Sequence, residues 1–117
     1  MTYNPYPRRK YGNKKVTVGG RVFDSKKEAH RYMELLTLEQ AGHIYGLECQ
    51  KRFELIPKQT DKNGKIIERK CEYVADFVYH TREGETVVED TKGVKTPDYI
   101  IKRKLMLKVH GIRVREI

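Results

Sequence analysis

Tyr73-Val74-Ala75-Asp76-Phe77 decides the fold, together with Val87-Val88-Glu89-Asp90-Thr91-Lys92-Gly93 a short distance downstream. Both runs are rich in β-branched or aromatic residues and flank a glycine-containing segment, so they predict a β-hairpin. Side chains alternate between the faces of a strand, which places Val88, Asp90 and Lys92 on one face. Pairing of the two strands in register brings Asp76 alongside them. The sequence therefore predicts two carboxylates and an ammonium group at the end of one hairpin.

This combination of side chains has the chemistry of a metal-dependent phosphodiesterase. Mg²⁺ and Mn²⁺ prefer oxygen ligands, and Mg²⁺ takes one or two carboxylates together with water and substrate phosphate. Asp76 and Asp90 would supply the carboxylates, and the backbone carbonyl of Thr91 a further oxygen. Lys92 would orient the attacking water and stabilise charge in the transition state. Alternating charges are also typical of a solvated strand, but an acid inside an apolar strand, such as Asp76, is costly to bury unpaired.

The size and charge of the chain limit the classes of protein that it can belong to. Its 117 residues suit one domain with a modest core, and its net charge of +9 favours a polyanionic partner such as nucleic acid. The two cysteines form no CxxC motif, which fits a reducing cytoplasm. No apolar run approaches the roughly 20 residues that cross a bilayer. We therefore expect a cytoplasmic protein that does not associate with membranes.

The basic residues cluster in two segments. Residues 1–15 combine lysines and arginines with tyrosines and almost no aliphatic side chains, so they predict an extended, flexible arm, and residues 16–117 predict a single domain. The arm and the second predicted helix would both contact DNA phosphates. The residues expected to do so are Arg8, Arg9, Lys10, Lys14, Lys15, Lys102, Arg103 and Lys104.

Two helices are predicted from their capping signals. Ser25 and Glu28 match a capping box, and apolar residues recur at helical spacing up to the stop signal Gly42, so a helix is expected over about residues 25–41. Glu28 is therefore either a capping residue or a catalytic acid, and the sequence leaves both roles open. Thr96 with Pro97 predicts the start of a second helix.

The remaining segments predict strands. Gly19-Gly20 predicts a short hairpin near the N-terminus, and the segment from Ile44 to Pro57 alternates as a long strand. The segment from Lys65 to Cys71 predicts a returning strand that runs on into the Asp76 strand. These strands form a meander of three or four antiparallel strands, and residues 112–117 predict a final strand after the second helix. The expected fold is α+β, with a central mixed sheet flanked by helices.

Asp76, the hairpin that follows it and Asp90-Thr91-Lys92 resemble the PD-(D/E)xK nuclease signature, which is carried on a restriction-endonuclease-like αβββαβ core. More closely, the chain resembles a family of small phage-encoded domains of unknown function assigned to this superfamily. The resemblance covers nearly the whole chain and rests on the segments 10–14, 23–29, 53–55, 73–77, 88–93 and 102–106.

By this resemblance, Asp76 and Asp90 are metal ligands and Lys92 is the catalytic lysine. Glu28 matches an acid that many members of the superfamily add to the site, as a catalytic residue and a further metal ligand. Gln50 stands where some relatives carry an accessory glutamine.

The chain departs from the motif at two points. Ala75 replaces the motif proline, and aspartate occupies the D/E position with Glu89 beside it, so an error of one residue in register would exchange the two acids. The period of two favours Asp90.

The function that the resemblance implies is that of a Mg²⁺-dependent (or Mn²⁺-dependent) phage DNA endonuclease, a hydrolase in the bacterial host cytoplasm. Phage context and small size suggest a homodimer that selects branched DNA in recombination, as Holliday junction resolvases do. Two alternatives remain open at this point. The chain would be a non-catalytic basic nucleic-acid-binding protein, or a nuclease subunit that acts within a larger phage assembly.

Overall fold

A four-stranded sheet forms the centre of the computed structural model, which describes residues 15–117. In chain order the elements are β1 (Val16–Val18), β2 (Arg21–Phe23), α1 (Lys26–Gln40), β3 (Ile44–Ile56), β4 (Gln59–Thr60), β5 (Ile66–Glu68), β6 (Cys71–Thr81), β7 (Thr86–Asp90), α2 (Pro97–His110) and β8 (Arg115–Glu116). The central sheet has the order β3-β6-β7-β8, antiparallel except for the parallel pair β7 and β8. The predicted α+β class with a mixed central sheet is confirmed.

Both helices begin at the predicted capping residues, and α1 also ends at its predicted stop signal. The hydroxyl of Ser25 accepts the backbone N–H of Glu28 at 3.2 Å, and α1 ends just before Gly42. The hydroxyl of Thr96 accepts the N–H of Tyr99 at 3.4 Å at the start of α2. Gly111 ends α2 in the left-handed conformation that glycine adopts without strain.

The two helices cover opposite faces of the sheet. Phe77 packs in the cluster beneath α1, whereas the next residue, Val78, packs in the cluster beneath α2. Because neighbouring residues of a strand point to opposite faces, each cluster lies on its own side of the sheet. The α1 cluster contains Phe23, Ala29, Leu35, Ile44, Phe77 and Tyr79. The α2 cluster contains Leu55, Tyr73, Ala75, Val78, Val88, Tyr99, Met106 and Val114.

The structure differs from the predicted strand pattern between residues 57 and 71. Here β4 and β5 form a separate two-stranded hairpin, and β5 does not run on into β6. Asp61 closes its turn by accepting the backbone N–H groups of Asn63 and Lys65 at 2.8 and 3.0 Å. This local turn confirms the predicted turn and returning strand, but it pairs β5 with β4 outside the central sheet, so β5 is not a strand of the predicted meander.

The predicted N-terminal arm lies almost entirely outside the described residues, and of its members only Lys15 falls within them. In the described part, no helix is long and apolar enough to span a membrane.

Candidate active site

Asp76 and Asp90 lie at corresponding positions on neighbouring strands. The β6–β7 register pairs Val78 with Val88 and Phe77 with Glu89, so the next antiparallel pair along the ladder is Asp76 with Asp90. The carboxyl group of Asp90 is buried, with 2% of the residue exposed, and Asp76 is half-buried. The structure thus brings together the two acids that the sequence predicts as a pair.

The alternation of side chains along β6 changes phase at Asp76. Ala75 packs in the α2 cluster and Phe77, two residues later, packs in the α1 cluster, although a regular strand would place both on one face. Opposite this point, between the pairs Cys49–Phe77 and Lys51–Ala75, Gln50 has a φ of +55°. A left-handed residue is rare outside glycine, so it marks a built distortion of the ladder at the acid site.

The side-chain amide of Gln50 bridges two carboxylates. Its Nε2 donates to Oδ1 of Asp76 at 3.2 Å and to Oε1 of Glu28 at 3.3 Å. Glu28 lies in the first turn of α1 and is only 5% exposed, so its side chain points into the protein rather than into solvent. Three acids from α1, β6 and β7 therefore form one acid cluster, which we define as Glu28, Asp76 and Asp90.

The second oxygen of Asp76 determines where β7 ends. Oδ2 of Asp76 accepts both the backbone N–H of Thr91 at 2.9 Å and the Thr91 hydroxyl at 2.7 Å. Because this N–H binds a side chain, it cannot continue the ladder, and β7 stops at Asp90. The prediction that the strand extends to Gly93 was wrong by three residues. Lys92 consequently lies in the loop that leads to α2, where it is exposed.

Tyr73 holds the carboxylate of Asp90. Its hydroxyl donates to Oδ2 of Asp90 at 2.6 Å, and both residues are buried. No local sequence pattern marks Tyr73 as a partner of the acids, because a residue three positions before Asp76 lies on the opposite face of a regular strand. The change of phase at Asp76 makes this contact possible.

The acids of the cluster raise one another's proton affinity. Burial, followed by the negative charges of Asp76 and Asp24, raises the pKa of Glu28 to about 7. Burial also raises the pKa of Asp90 to about 6; the Tyr73 hydrogen bond and the charge of Lys92 oppose that shift, and Asp76 reinforces it. Carboxyl groups crowded in this way are stabilised either by protonation of one of them or by a cation that binds between them.

Lys92 lies beside the first turn of α2. Its ammonium lies 5.2 Å from the ring centroid of Tyr99, which is close enough for a cation–π contact. Its positive charge lowers the pKa of Asp90.

Glu89 faces away from the acid cluster. It is fully buried and binds the Arg31 guanidinium through two hydrogen bonds, of 2.8 and 2.7 Å, and it also accepts the Tyr79 hydroxyl. The structure therefore places Asp90, and not Glu89, beside Asp76. No local sequence pattern predicts the Arg31 contact, because 58 residues separate the two partners.

The carboxylate oxygens of the acid cluster suit a hard divalent cation that takes only a few of its ligands from the protein. Within residues 15–117, no three His, Cys, Asp or Glu side chains are gathered as ligands of one ion. The Asp76–Asp90 pair offers two carboxylates, which is the usual protein share at a Mg²⁺ site that also binds substrate phosphate and water. The crowding that raises the pKa of Asp90 is what a cation between the carboxylates would relieve. The residues present therefore fit such an ion.

The residues expected to contact DNA are spread over the surface. Lys15 and Lys104 are exposed, and Lys102 is half-buried. Arg103 is held at 3.0 Å by Glu116, so part of its charge is neutralised within the protein. The remaining four, Arg8, Arg9, Lys10 and Lys14, lie outside the described residues.

Fold and site together define an α+β domain with an acid cluster at the junction of α1, β6 and β7. The chain belongs to the family described as "Protein of unknown function (DUF1064)", which it matches over residues 8–116. Searches of curated proteins and of solved structures found no match.

Proposed function

We propose that this protein is a metal-dependent DNA endonuclease that hydrolyses phosphodiester bonds. The observation that carries the proposal is the meeting of Asp76 and Asp90 on neighbouring strands, with Glu28 joined to them through Gln50. Glu28 and Asp90 are buried beside Asp76, whose charge raises the pKa of both. Crowded carboxylates of this kind are costly for stability and are typical of functional sites. The net charge of +9 supports a polyanionic substrate.

The proposed roles follow from the positions of the side chains. Asp76 and Asp90 would hold Mg²⁺ or Mn²⁺ together with the Thr91 carbonyl, and the ion would lower the pKa of bound water and neutralise charge on the phosphate. Glu28, which is joined to Asp76 through Gln50, would be a neighbouring acid rather than a ligand in this geometry. Lys92 is the one cation of the proposed catalytic set, and it stabilises the negative charge that develops on the scissile phosphate.

The test is a cleavage assay with Mg²⁺ or Mn²⁺ on plasmid, duplex, flap and four-way DNA. Wild type is expected to cut, and Asp90→Asn and Lys92→Ala are expected to lose at least about 100-fold in rate, because each removes a group that acts on the reacting phosphate. Glu83→Gln is the matched control, since Glu83 is an exposed acid in the turn of the same hairpin. Equal cutting by wild type and both site variants would defeat the proposal.

The finer parts of the proposal concern substrate and assembly. A homodimer with two acid clusters would act on branched DNA, such as a Holliday junction, in the cytoplasm of a phage-infected cell. The four-way substrate and the molecular mass in solution test these two points separately from the chemistry.

A second candidate is a non-catalytic nucleic-acid-binding protein, or a subunit that cleaves only within a larger phage assembly. The exposed position of Lys92 and its contact with the Tyr99 ring favour this candidate, because a catalytic amine would have to leave that ring for the phosphate. DNA binding that persists in EDTA, with no cleavage under any divalent ion, would support it.

A further inference from the structure

A pocket of about 570 Å³ lies between α1 and β8, away from the acid cluster. The basic residues on its walls are Lys26, Lys27, His30, Arg31 and Arg115, and Glu34 is the acidic side chain among them. Lys26, Lys27 and Arg31 come from α1 and Arg115 comes from the edge strand β8, so the pocket opens at one edge of the sheet. None of these residues has a role in the proposed chemistry.

The buried carboxylate of Glu89 holds both arginines of this pocket, Arg31 and Arg115, in place. The carboxylate of Glu89, which is fully buried, binds Nε and Nη2 of Arg31 and also lies 3.7 Å from Nη1 of Arg115. A bidentate pair fixes the plane of a guanidinium, so an incoming anion meets an oriented donor at little cost in side-chain entropy. Glu89 therefore orients the cationic wall of the pocket.

The charge of the pocket favours an anion. Lys26, Lys27, Arg31 and Arg115 carry four positive charges, and they face two carboxylates, of which Glu34 is exposed and Glu89 lies behind the arginines. Lys26 and Lys27 are exposed, so their ammonium groups can donate hydrogen bonds to a ligand. Several cations converging on one concave surface match the oxygens of a phosphate group.

The pocket shares two chain segments with the acid cluster. Lys27 directly precedes Glu28 in the first turn of α1, and Glu89 directly precedes Asp90 on β7. Because consecutive residues of a strand point to opposite faces, Glu89 and Asp90 do not face one another, and only an extended polymer could contact both the pocket and the acids.

We propose that the α1–β8 pocket binds a backbone phosphate of the nucleic acid whose scissile phosphate lies at the acid cluster. This inference rests on the proposed function, and it assigns the track of the substrate strand to Lys26, Lys27, Arg31 and Arg115. These residues differ from the α2 residues Lys102, Arg103 and Lys104 that the sequence favours. Because phosphate contacts carry no base information, the pocket contributes affinity without sequence preference.

The experiment measures binding of a fluorescent DNA duplex in EDTA, where cleavage is suppressed, over a series of salt concentrations. Each phosphate contact contributes about one unit to the slope of log K against log salt. The double variant Lys26→Gln/Lys27→Gln is expected to lower that slope by about 2 and the affinity about tenfold or more at low salt. Arg115→Gln, on the facing wall, is expected to lower the slope by about 1.

The matched control is Lys62→Gln/Lys65→Gln, which removes the same charge from exposed lysines at the β4–β5 turn. Its slope is expected to stay within about half a unit of wild type. All variants keep Arg31, because its loss would leave Glu89 buried without its bidentate partner.

The outcomes separate this inference from the proposed function. Three results would each overturn the pocket assignment. The pocket variants could bind DNA as wild type does, the control pair could weaken binding equally, or wild type could fail to bind DNA. Loss of cleavage in Asp90→Asn would still support the endonuclease in the first two cases. Displacement of DNA by micromolar inorganic pyrophosphate would assign the pocket to a small phosphate ligand and overturn the strand assignment. A reduced slope without cleavage under any divalent ion supports the pocket and rejects only the endonuclease.

Discussion

The hydroxyl of Tyr73 donates a 2.6 Å hydrogen bond to the carboxylate of Asp90, although the two residues lie on different strands. Both residues are buried, so loss of the hydroxyl would leave the carboxylate without this donor in a poorly solvated position. The bond favours the ionised form of Asp90 and opposes the rise in pKa that burial causes. Tyr73 is therefore a positioning residue for a proposed metal ligand.

Removal of this hydroxyl tests that role. Tyr73→Phe is expected to lower the free energy of unfolding by about 1–3 kcal/mol at pH 8, because Asp90 then lacks its donor. The loss is expected to be smaller at pH 4.5, where Asp90 is protonated and needs the donor less. Urea unfolding at the two pH values measures both quantities. Tyr45→Phe, at an exposed tyrosine, is the control, and an equal loss for Tyr73→Phe at both pH values would contradict the role.

The left-handed backbone of Gln50 predicts a conflict between stability and activity. Gln50→Gly is expected to raise the free energy of unfolding by about 1 kcal/mol, because glycine adopts a φ of +55° without steric strain. The same change removes the amide that joins Glu28 to Asp76, so cleavage is expected to fall. Gln59→Gly, in the ordinary strand β4, should destabilise instead. A Gln50→Gly variant less stable than wild type would show that the amide bridge outweighs the strain.

The sequence predicts those features that depend on local patterns. The capping residues Ser25 and Thr96 locate both helices, and the period of two brings Asp76 and Asp90 together, because these signals lie within a few residues of the feature that they specify. The phase change at Asp76 could not be predicted, since it lies opposite the left-handed backbone of Gln50 on the neighbouring strand, for which there is no local signal. Neither the Tyr73–Asp90 contact nor the fully buried ion pair of Glu89 has a local signal.

The crowded carboxyl groups predict that the protein without metal is more stable in mild acid. The pKa values of Asp90 and Glu28 rise in the folded state to about 6 and about 7 from ordinary values of 3.8 and 4.5. The folded state therefore binds more protons than the unfolded state between these limits, and this contribution is lost as the pH rises through 6 to 7. In EDTA, the urea midpoint is expected to fall between pH 5 and pH 8. Glu28→Gln and Asp90→Asn should each reduce that fall, and an undiminished fall in both variants would contradict the assignment.

A divalent cation bound between the carboxylates should restore the stability that the metal-free protein loses as the pH rises. Added Mn²⁺ at pH 8 is expected to raise the free energy of unfolding by about 1.4 kcal/mol at ten times its Kd, because it binds the folded state. The increase is expected to disappear in Asp90→Asn, which lacks one carboxylate of the pair. Thermal unfolding with and without EDTA measures it. The control is Glu83→Gln, and the same increase in Asp90→Asn as in wild type would place the cation elsewhere.

The Glu89 ion pair predicts a strong asymmetry between single and double substitutions. Arg31→Ala leaves a fully buried carboxylate without its bidentate partner, and it is expected to cost about 3–5 kcal/mol of unfolding free energy. Arg31→Met/Glu89→Leu removes both charges and keeps the volume, so its loss should be smaller than that of Arg31→Ala alone. Part of the loss remains in the double variant, because the Tyr79 hydroxyl loses its acceptor. Urea unfolding of the two variants measures both losses of unfolding free energy. A double variant as unstable as Arg31→Ala would mean that lost packing around Arg31, rather than an unpaired charge, causes the destabilisation.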